Sequence, residues 1–373
     1  MIALQKGAVD MKLRYPHFYK DFQCIAEDCS DNCCRQGWLI PIDDAHVEYY
    51  ENYPDPLGAR IRETMKKIDG QWYLAPKDGV CPLLEEGGLC PLVRASGEEA
   101  LCHICHSHPR FLEEYGLTRE IHVSLSCPEM ARLALEGTDA ITYEEEMTDE
   151  PLSSPNDIDP QEYFALLEIR EFCLRLVQHR ELNIYDRMAL LLQFARRVQP
   201  LLDEGEYALC KPLIHLFTYA PQGRRQLLAT KRARKKGCSY FAERELLSSL
   251  EHLAEDWENL LKATIFTARD GAKLDENCPY VLEHLLTLWL GHYIPKAVCD
   301  GRVDTKIRFA VLMVMAVRRL CLCHGEENLA FAEKMAGCLA REVEHSQDNM
   351  EKVYRTLSSP LWHEHLMMGL PLK

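Results

Sequence analysis

The sequence predicts a mainly α protein in which a small, irregular, cysteine-rich metal-binding N-terminal domain precedes an all-α helical bundle. Nine of the seventeen cysteines in the 373-residue chain lie between Cys24 and Cys127. Such a density builds either a disulfide scaffold or a metal site. From about residue 161 onward, apolar residues recur at helical spacing instead. Between the two parts, the acidic run Tyr143–Glu150 is followed by Pro151, Pro155 and Pro160, which reads as a linker. The expected boundaries are 12–140 for the cysteine-rich domain, 141–160 for the linker and 161–373 for the helical domain.

Within the first part, Trp38–Ile42 reads as a short extended segment that Pro41 confines to a sheet edge. Asp43 and Asp44 read as the N-cap of a helix through His46, Val47 and Tyr50. Arg60–Ile68 reads as helical, and Gln71–Leu74 as a short strand before the turn at Lys77, Asp78 and Gly79. Backbone order here is expected from the metal rather than from a large core. In the second part, Leu166, Ile169, Cys173, Leu176 and Val177 share one face. Leu246, Leu250, Leu253, Trp257 and Leu260 form a second stripe, and Leu282, Leu285, Leu286 and Trp289 a third. Arg308–Cys323 is apolar nearly all round and reads as a buried central helix. With no alternating strand pattern, repeat or low-complexity tract visible there, a helical bundle is the natural architecture.

A formal net charge of -15 argues against a general nucleic-acid binder, which needs a basic face to neutralise phosphates. The opening residues Met1–Gly7 show no secretory signal. The longest nearly apolar run, Phe309–Val317, is too short to span a bilayer. A cytoplasmic protein with no membrane association is therefore expected. Thiols stay reduced in that compartment, which favours metal over disulfide.

The spacings narrow the metal only in part. The run Cys24-x4-Cys29-x3-Cys33-Cys34 does not match a zinc knuckle, whereas Cys102-x2-Cys105 does. Cys81-Pro82, Cys90-Pro91 and Cys127-Pro128 have the form common around iron–sulfur clusters, where proline stiffens the approach of the sulfur. Zinc, iron–sulfur and buried thiols without metal all stay open on spacing alone. His103, His106 and His108 in the same stretch read as ligands, proton carriers or surface residues.

Taken together, these stretches carry a resemblance. The order Cys24 to Trp38, Cys81 to Leu84, Gly88 to Cys90, Cys105 to Arg110 and Leu125 to Glu129 resembles the bacterial flagellin lysine-N-methylase family. The likeness continues more weakly around Glu283–Tyr293 and Thr305–Leu320. It implies methyl transfer from S-adenosylmethionine to surface lysines of flagellin in the cytoplasm. It also implies an iron–sulfur cluster, of the four-iron type, held by Cys24, Cys29, Cys33, Cys34, Cys81, Cys90, Cys105 and Cys127. Cys102 falls where no family cysteine is expected and is left out of that set. The resemblance places no catalytic residue. A shorter version of the pattern occurs in zinc- or iron-chelating proteins, so a binding protein with a structural metal is the alternative. An electron-transfer role would leave the helical part unexplained.

Methylating an ε-amine requires a deprotonated nitrogen in line with the methyl–sulfonium bond. A nearby base and desolvation supply the first condition. Aromatic faces can hold either cation, and Trp38, Trp72 and Tyr73 lie in the right part of the chain. The run Glu85–Leu89 lacks the spacing of a dinucleotide-binding loop. S-adenosylmethionine would therefore not sit in an ordinary Rossmann pocket. Chelation of a cluster iron that no cysteine occupies is the physical alternative, although the compact three-cysteine loop of radical enzymes is absent. Lys231–Lys236 reads as a basic island for an acidic partner or a solvated surface, and Glu144–Glu150 as a steering run or a plain linker. Arg110 is expected to pair with a carboxylate or to cap a helix.

Overall fold

The protein is described by a computed structural model covering residues 11–149, 158–219, 239–253, 257–263 and 273–371. The basic island Lys231–Lys236 lies outside the described residues.

Two small sheets organise the N-terminal part. The first has three strands in the order β2 (Ile40–Pro41), β4 (Gln71–Leu74), β3 (Met65–Ile68). Pro41 lies on an edge strand, where its missing N–H costs nothing. β3 and β4 form a hairpin across Asp69 and Gly70, both with positive φ (48° and 89°), the pair of left-handed conformers that a two-residue type I′ turn needs. Arg60–Ile68 is therefore not one helix. Helix α2 covers Leu57–Thr64, and the β-strand β3 follows directly. Helix α1 (Asp44–Glu51) begins as expected, with Asp43 accepting from the His46 amide. The core of this lobe is small: Ile42, Tyr50, Ile61, Met65, Leu74, Leu83, Leu92, Ala100 and Cys102.

The second sheet departs from the sequence expectation. Its order is β5 (Arg110–Tyr115), β6 (Thr118–Val123), β1 (Met11–Pro16), β7 (Tyr143–Thr148). β1 runs parallel to β6 and antiparallel to β7. The acidic run expected within a linker thus forms an edge strand, with Arg14 opposite Glu145 and Pro16 opposite Tyr143. Its exposed glutamates are a usual protection for a sheet edge.

Most of the remaining helices share one core with this sheet, and the first of them packs into the small lobe instead. In chain order they are α3 (Pro91–Ser96), α4 (His103–Ser107), α5 (Pro128–Leu135), α6 (Pro160–Val177), α7 (Ile184–Asp203), α8 (Cys210–Tyr219), α9 (Ser239–Ser248), α10 (Trp257–Ala263), α11 (Leu274–Asn277), α12 (Val281–Tyr293), α13 (Val303–His324), α14 (Leu329–Glu344), α15 (Gln347–Leu357) and α16 (Pro360–Gly369). Helix α13 is the buried central helix that the sequence predicts, with Phe309–Val317 inaccessible or nearly so. The stripe from Leu246 to Leu260 is split between α9 and α10, because α9 ends at Ser248. Phe18, Val123, Leu125, Met130, Leu135 and Ile141 share one core with the helices. The sheet is therefore bonded to the helical part by packing as well as by chain.

Buried ion pairs fix that junction and the helices behind it. Glu120 on β6 takes Arg170 of α6 at 2.6 Å and Arg14 of β1 at 3.7 Å. Glu283 on α12 takes Arg187 at 2.6 Å and Arg180 at 2.8 Å. Gly291 is needed for close approach, since a Cβ there would lie 2.1 Å from the Tyr143 hydroxyl.

Candidate thiol centre and its surroundings

All eight predicted cysteines, and Cys102 with them, fall into one electrostatically connected network. Cys34 contacts both Cys33 and Cys81 through its thiol. Cys90 feels the charges of Cys81 and Cys33, and Cys105 those of Cys102, Cys33 and Cys81. Cys29 couples to Cys33 and Cys24, and Cys127 to Cys29 and Cys33. Cys33 is the hub. The sixteen described cysteines are all free thiols. Motif order alone leaves Cys102 outside the expected ligand set, yet its thiol contacts Cys105 directly. The knuckle spacing Cys102-x2-Cys105 is the sequence signal that argues for including it.

Local structure explains the placement. Cys33 and Cys34 sit in a single turn capped by Asn32, whose side chain accepts from the Cys34 amide at 2.9 Å and donates to the Gly88 carbonyl at 2.9 Å. The Cys81 amide donates to the Cys34 carbonyl at 2.8 Å, which brings two distant segments together. Cys90 and Cys127 are the N-cap residues of α3 and α5, with Pro91 and Pro128 in the first helical turn. Proline suits that position because its absent N–H is unpaired there anyway. Each Cys-Pro pair therefore starts a turn and leaves the sulfur near its first amides. These amides are Leu83 and Leu84 for Cys81, Leu92 and Val93 for Cys90, and Glu129 and Met130 for Cys127. They favour a thiolate, as backbone donors do around metal-bound sulfur. Burial works the other way and carries the Cys127 thiol up to about 12. Contact with the Cys34 thiol brings Cys81 down to about 6, and contact with Cys105 brings Cys102 down to about 7.

The donor chemistry fits a soft metal centre, because thiolates suit iron–sulfur clusters and zinc. Nine connected thiols exceed the four ligands of one structural zinc. Among the described residues, no group of three or more His, Cys, Asp or Glu side chains is arranged to hold a single ion.

The motif residues between these cysteines form the contact with the helical part. Trp38 stacks on His345 at the end of α14, with centroids 4.9 Å apart. His108 meets Trp38 edge-on at 5.5 Å, and Phe111 lies 5.8 Å from His345. The His345 Nε2 atom lies 2.9 Å from the Ser124 hydroxyl and 3.0 Å from that of Ser126. Arg341 pairs with Asp31. Burial, aided by Arg341, holds the His108 and His345 imidazoles neutral, at about 4 and about 3. Arg110 caps a helix, one of its two expected roles: its guanidinium reaches the His106 carbonyl in the last turn of α4 at 3.5 Å. It donates to the Tyr19 hydroxyl at 2.9 Å and lies over the Phe22 ring. Trp72 lies on β4 beneath Lys67, away from this stack.

A second polar concentration lies deeper. His122 of β6 stacks on His292 of α12 at 4.4 Å. Both line a small cavity with Tyr143, Trp289 and Glu344. Glu344 accepts from the Tyr293 hydroxyl at 2.7 Å, and burial raises its carboxyl to about 7. Nothing local in the sequence marks these residues as neighbours.

A thiol-rich centre set against a helical bundle, with both halves contributing side chains, defines the class. The chain belongs to the lysine N-methylase family: the profile of the FliB lysine N-methylase C-terminal domain matches residues 170–367. Among its relatives, the Lysine-N-methylase of Salmonella choleraesuis (strain SC-B67) is 29% identical over 191 residues, covering 49% of this chain and 47% of that protein. The Lysine-N-methylase of Salmonella typhimurium shows the same identity and coverage. Flagellar biosynthetic protein FliU of Salmonella muenchen is 33% identical over 137 residues, 35% of this chain and 80% of FliU. The match spans about half the length of the two methylases. No solved structure matches the chain. Among the described residues, no helix is long and apolar enough to cross a membrane.

Proposed function

We propose that this protein is a lysine N-methyltransferase that moves the methyl group of S-adenosylmethionine onto surface lysines of flagellin in the cytoplasm. The thiol network would hold an iron–sulfur cluster. Family membership supports lysine methylation, and the flagellar name of one relative supports the substrate. The single observation that carries the cluster is the set of electrostatic couplings that links nine thiols, three of them beside the leading amides of a Cys-Pro turn.

When bound, the cluster would offer an iron to which the amino and carboxylate groups of S-adenosylmethionine can chelate. The chain's own residues do the rest. Cys33, Cys34, Cys81, Cys90, Cys102, Cys105, Cys29, Cys24 and Cys127 are the candidate ligands. Trp38, Phe111 and the neutral imidazoles of His108 and His345 make an aromatic cluster in which Trp38 follows Cys34, and His108 and Phe111 follow Cys105, closely in the chain. Such faces attract a sulfonium.

The test is iron and sulfide analysis with a visible spectrum on protein purified without oxygen, followed by transfer of labelled methyl from S-adenosylmethionine to flagellin. Iron with matching sulfide, and label on flagellin lysines, is expected. Zinc alone, with no transfer, would leave a metal-binding protein and overturn the reading.

A further inference from the structure

An open cavity of about 360 Å³ lies against the thiol network, lined by Asp43, His46, Glu99, Leu101, His103 and His106. Three imidazoles and two carboxylates thus face one space. Two of these residues are arranged as a base with its orienting partner. Asp43 Oδ1 lies 2.8 Å from His46 Nδ1, and Asp43 Oδ2 accepts from the His103 amide at 2.8 Å. A carboxylate on Nδ1 fixes the imidazole tautomer and leaves Nε2 as the acceptor. Both side chains are reachable from solvent, His46 at 23% and Asp43 at 35% exposure.

The dyad is also tied to the thiols. The His46 ring lies 5.7 Å from that of Tyr50. The Tyr50 hydroxyl donates to the Ala100 carbonyl at 3.0 Å and accepts from the Cys102 amide at 2.7 Å. Only Tyr50 separates the dyad from Cys102, which contacts Cys105. A donor bound at the network would therefore be close to this cavity. The Asp43 carboxyl stays ionised, because the His103 amide and His46 outweigh burial and hold it at about 2.

We propose that this cavity receives the ε-ammonium group of the substrate lysine and that His46, oriented by Asp43, takes its proton. The inference rests on the methyltransferase reading. Asp43 and Glu99 attract the ammonium, and His46 Nε2 accepts one proton from it. The freed nitrogen pair forms a bond to the methyl carbon while the carbon–sulfur bond breaks, its electron pair staying on sulfur. The product is a methylammonium, and His46 returns its proton to water at the mouth of the cavity. The charged and titratable groups facing His46 are Asp43, Glu99, His103 and His106, with Cys102 behind it. Asp43 is a positioning residue.

Asp43 is also the N-cap of α1, and a cap role alone predicts something different. Asparagine caps a helix about as well as aspartate. Asp43→Asn should therefore keep the α1 cap, give up the acceptor for the His103 amide, and, per metal-loaded molecule, slow methyl transfer about 10-fold or more by removing the charge behind the imidazolium. His46→Gln should slow transfer about 100-fold or more, a usual share for general-base catalysis, with iron and sulfide unchanged. Wild-type rates in both variants would overturn the proposal.

A readout independent of turnover uses the wild-type holoprotein. Titration with n-butylamine, a mimic of the lysine side chain, should shift the ring resonances of His46 in protein carrying labelled histidine. Absence of any shift at amine concentrations up to the tens of millimolar would overturn the site. If wild-type protein transfers no methyl to flagellin, the functional reading fails, and the amine titration alone decides whether the cavity binds a primary amine.

Discussion

The two sheets of this protein are stabilised in different ways. The three-stranded lobe has nine buried hydrophobic residues, of which Cys102 is one, and is surrounded by thiols. The four-stranded sheet shares a continuous core with α5–α7 and α12–α14; a buried ion pair at Glu120 ties it to α6, and one at Glu283 ties the helices to one another. A core as small as the first rarely orders a lobe alone, and bound metal commonly supplies the remainder. The second needs no ligand to explain its order.

Removing the metal is the largest perturbation this contrast predicts. On the proposed reading, chelation without oxygen should abolish amide protection from about residue 24 to residue 107. Helices α12 to α15 should keep theirs. Hydrogen exchange followed by mass spectrometry reads both regions in one experiment. Equal loss in both would show that the lobes depend on the centre alike, and the contrast would be wrong.

Breaking the ion pairs should act in the opposite region. Glu283 is 1% exposed and serves both Arg187 and Arg180. Glu283→Ala leaves Arg187 buried without its carboxylate, which costs about 3–5 kcal/mol. Chemical denaturation should show that loss, while metal content per folded molecule stays unchanged. Next in size is Gly291→Ala, whose new Cβ would meet the Tyr143 hydroxyl. Overpacking of this kind costs about 1–3 kcal/mol. Tyr143→Phe removes the nearest atom and should recover part of the loss, so the pair should be non-additive in a double-mutant cycle.

The same contrast explains what the sequence revealed. The thiols were legible because cysteine density speaks through residue type, with no need of a contact map. The helices were legible by period, since α13 and α12 are apolar over most of their length. The four-stranded sheet was hidden for two reasons. β1 pairs with β6 about a hundred residues later. Moreover, β6 is buried at Arg119, Glu120, Ile121, His122 and Val123 alike, so no alternation shows. Glu120 is inside because Arg170 and Arg14 meet it, and Arg119 because Glu114 does. β7 looked like a linker because its glutamates answer Lys12, Arg14 and Lys20, which lie far away in sequence. His345 and Glu344 carry no local signal at all. They matter because the end of α14 meets Trp38 and Tyr293.

A pH-dependent effect distinguishes two carboxyls near the sheet–helix junction. Burial opposes ionisation of Glu113, but His292 and Lys296 outweigh it and hold the group at about 2. Its contribution to stability is present above the unfolded value of about 4.5 and is lost as pH falls toward 2. Glu344 is the reverse case, because burial dominates and raises it to about 7. The folded state then keeps a proton that the unfolded chain releases, so stability falls as pH rises from about 4.5 to 7 and changes no further above that. Glu344→Gln should flatten the denaturation midpoint across that window and leave the acid limb intact. Glu113→Gln should do the opposite, weakening the acid limb's dependence below pH 4.5 and leaving the neutral window sloped. If Glu344→Gln left the slope between pH 4.5 and 7 unchanged, the carboxyl would be ionised in the native state, and the cavity it shares with His122 and His292 would have to be open to water.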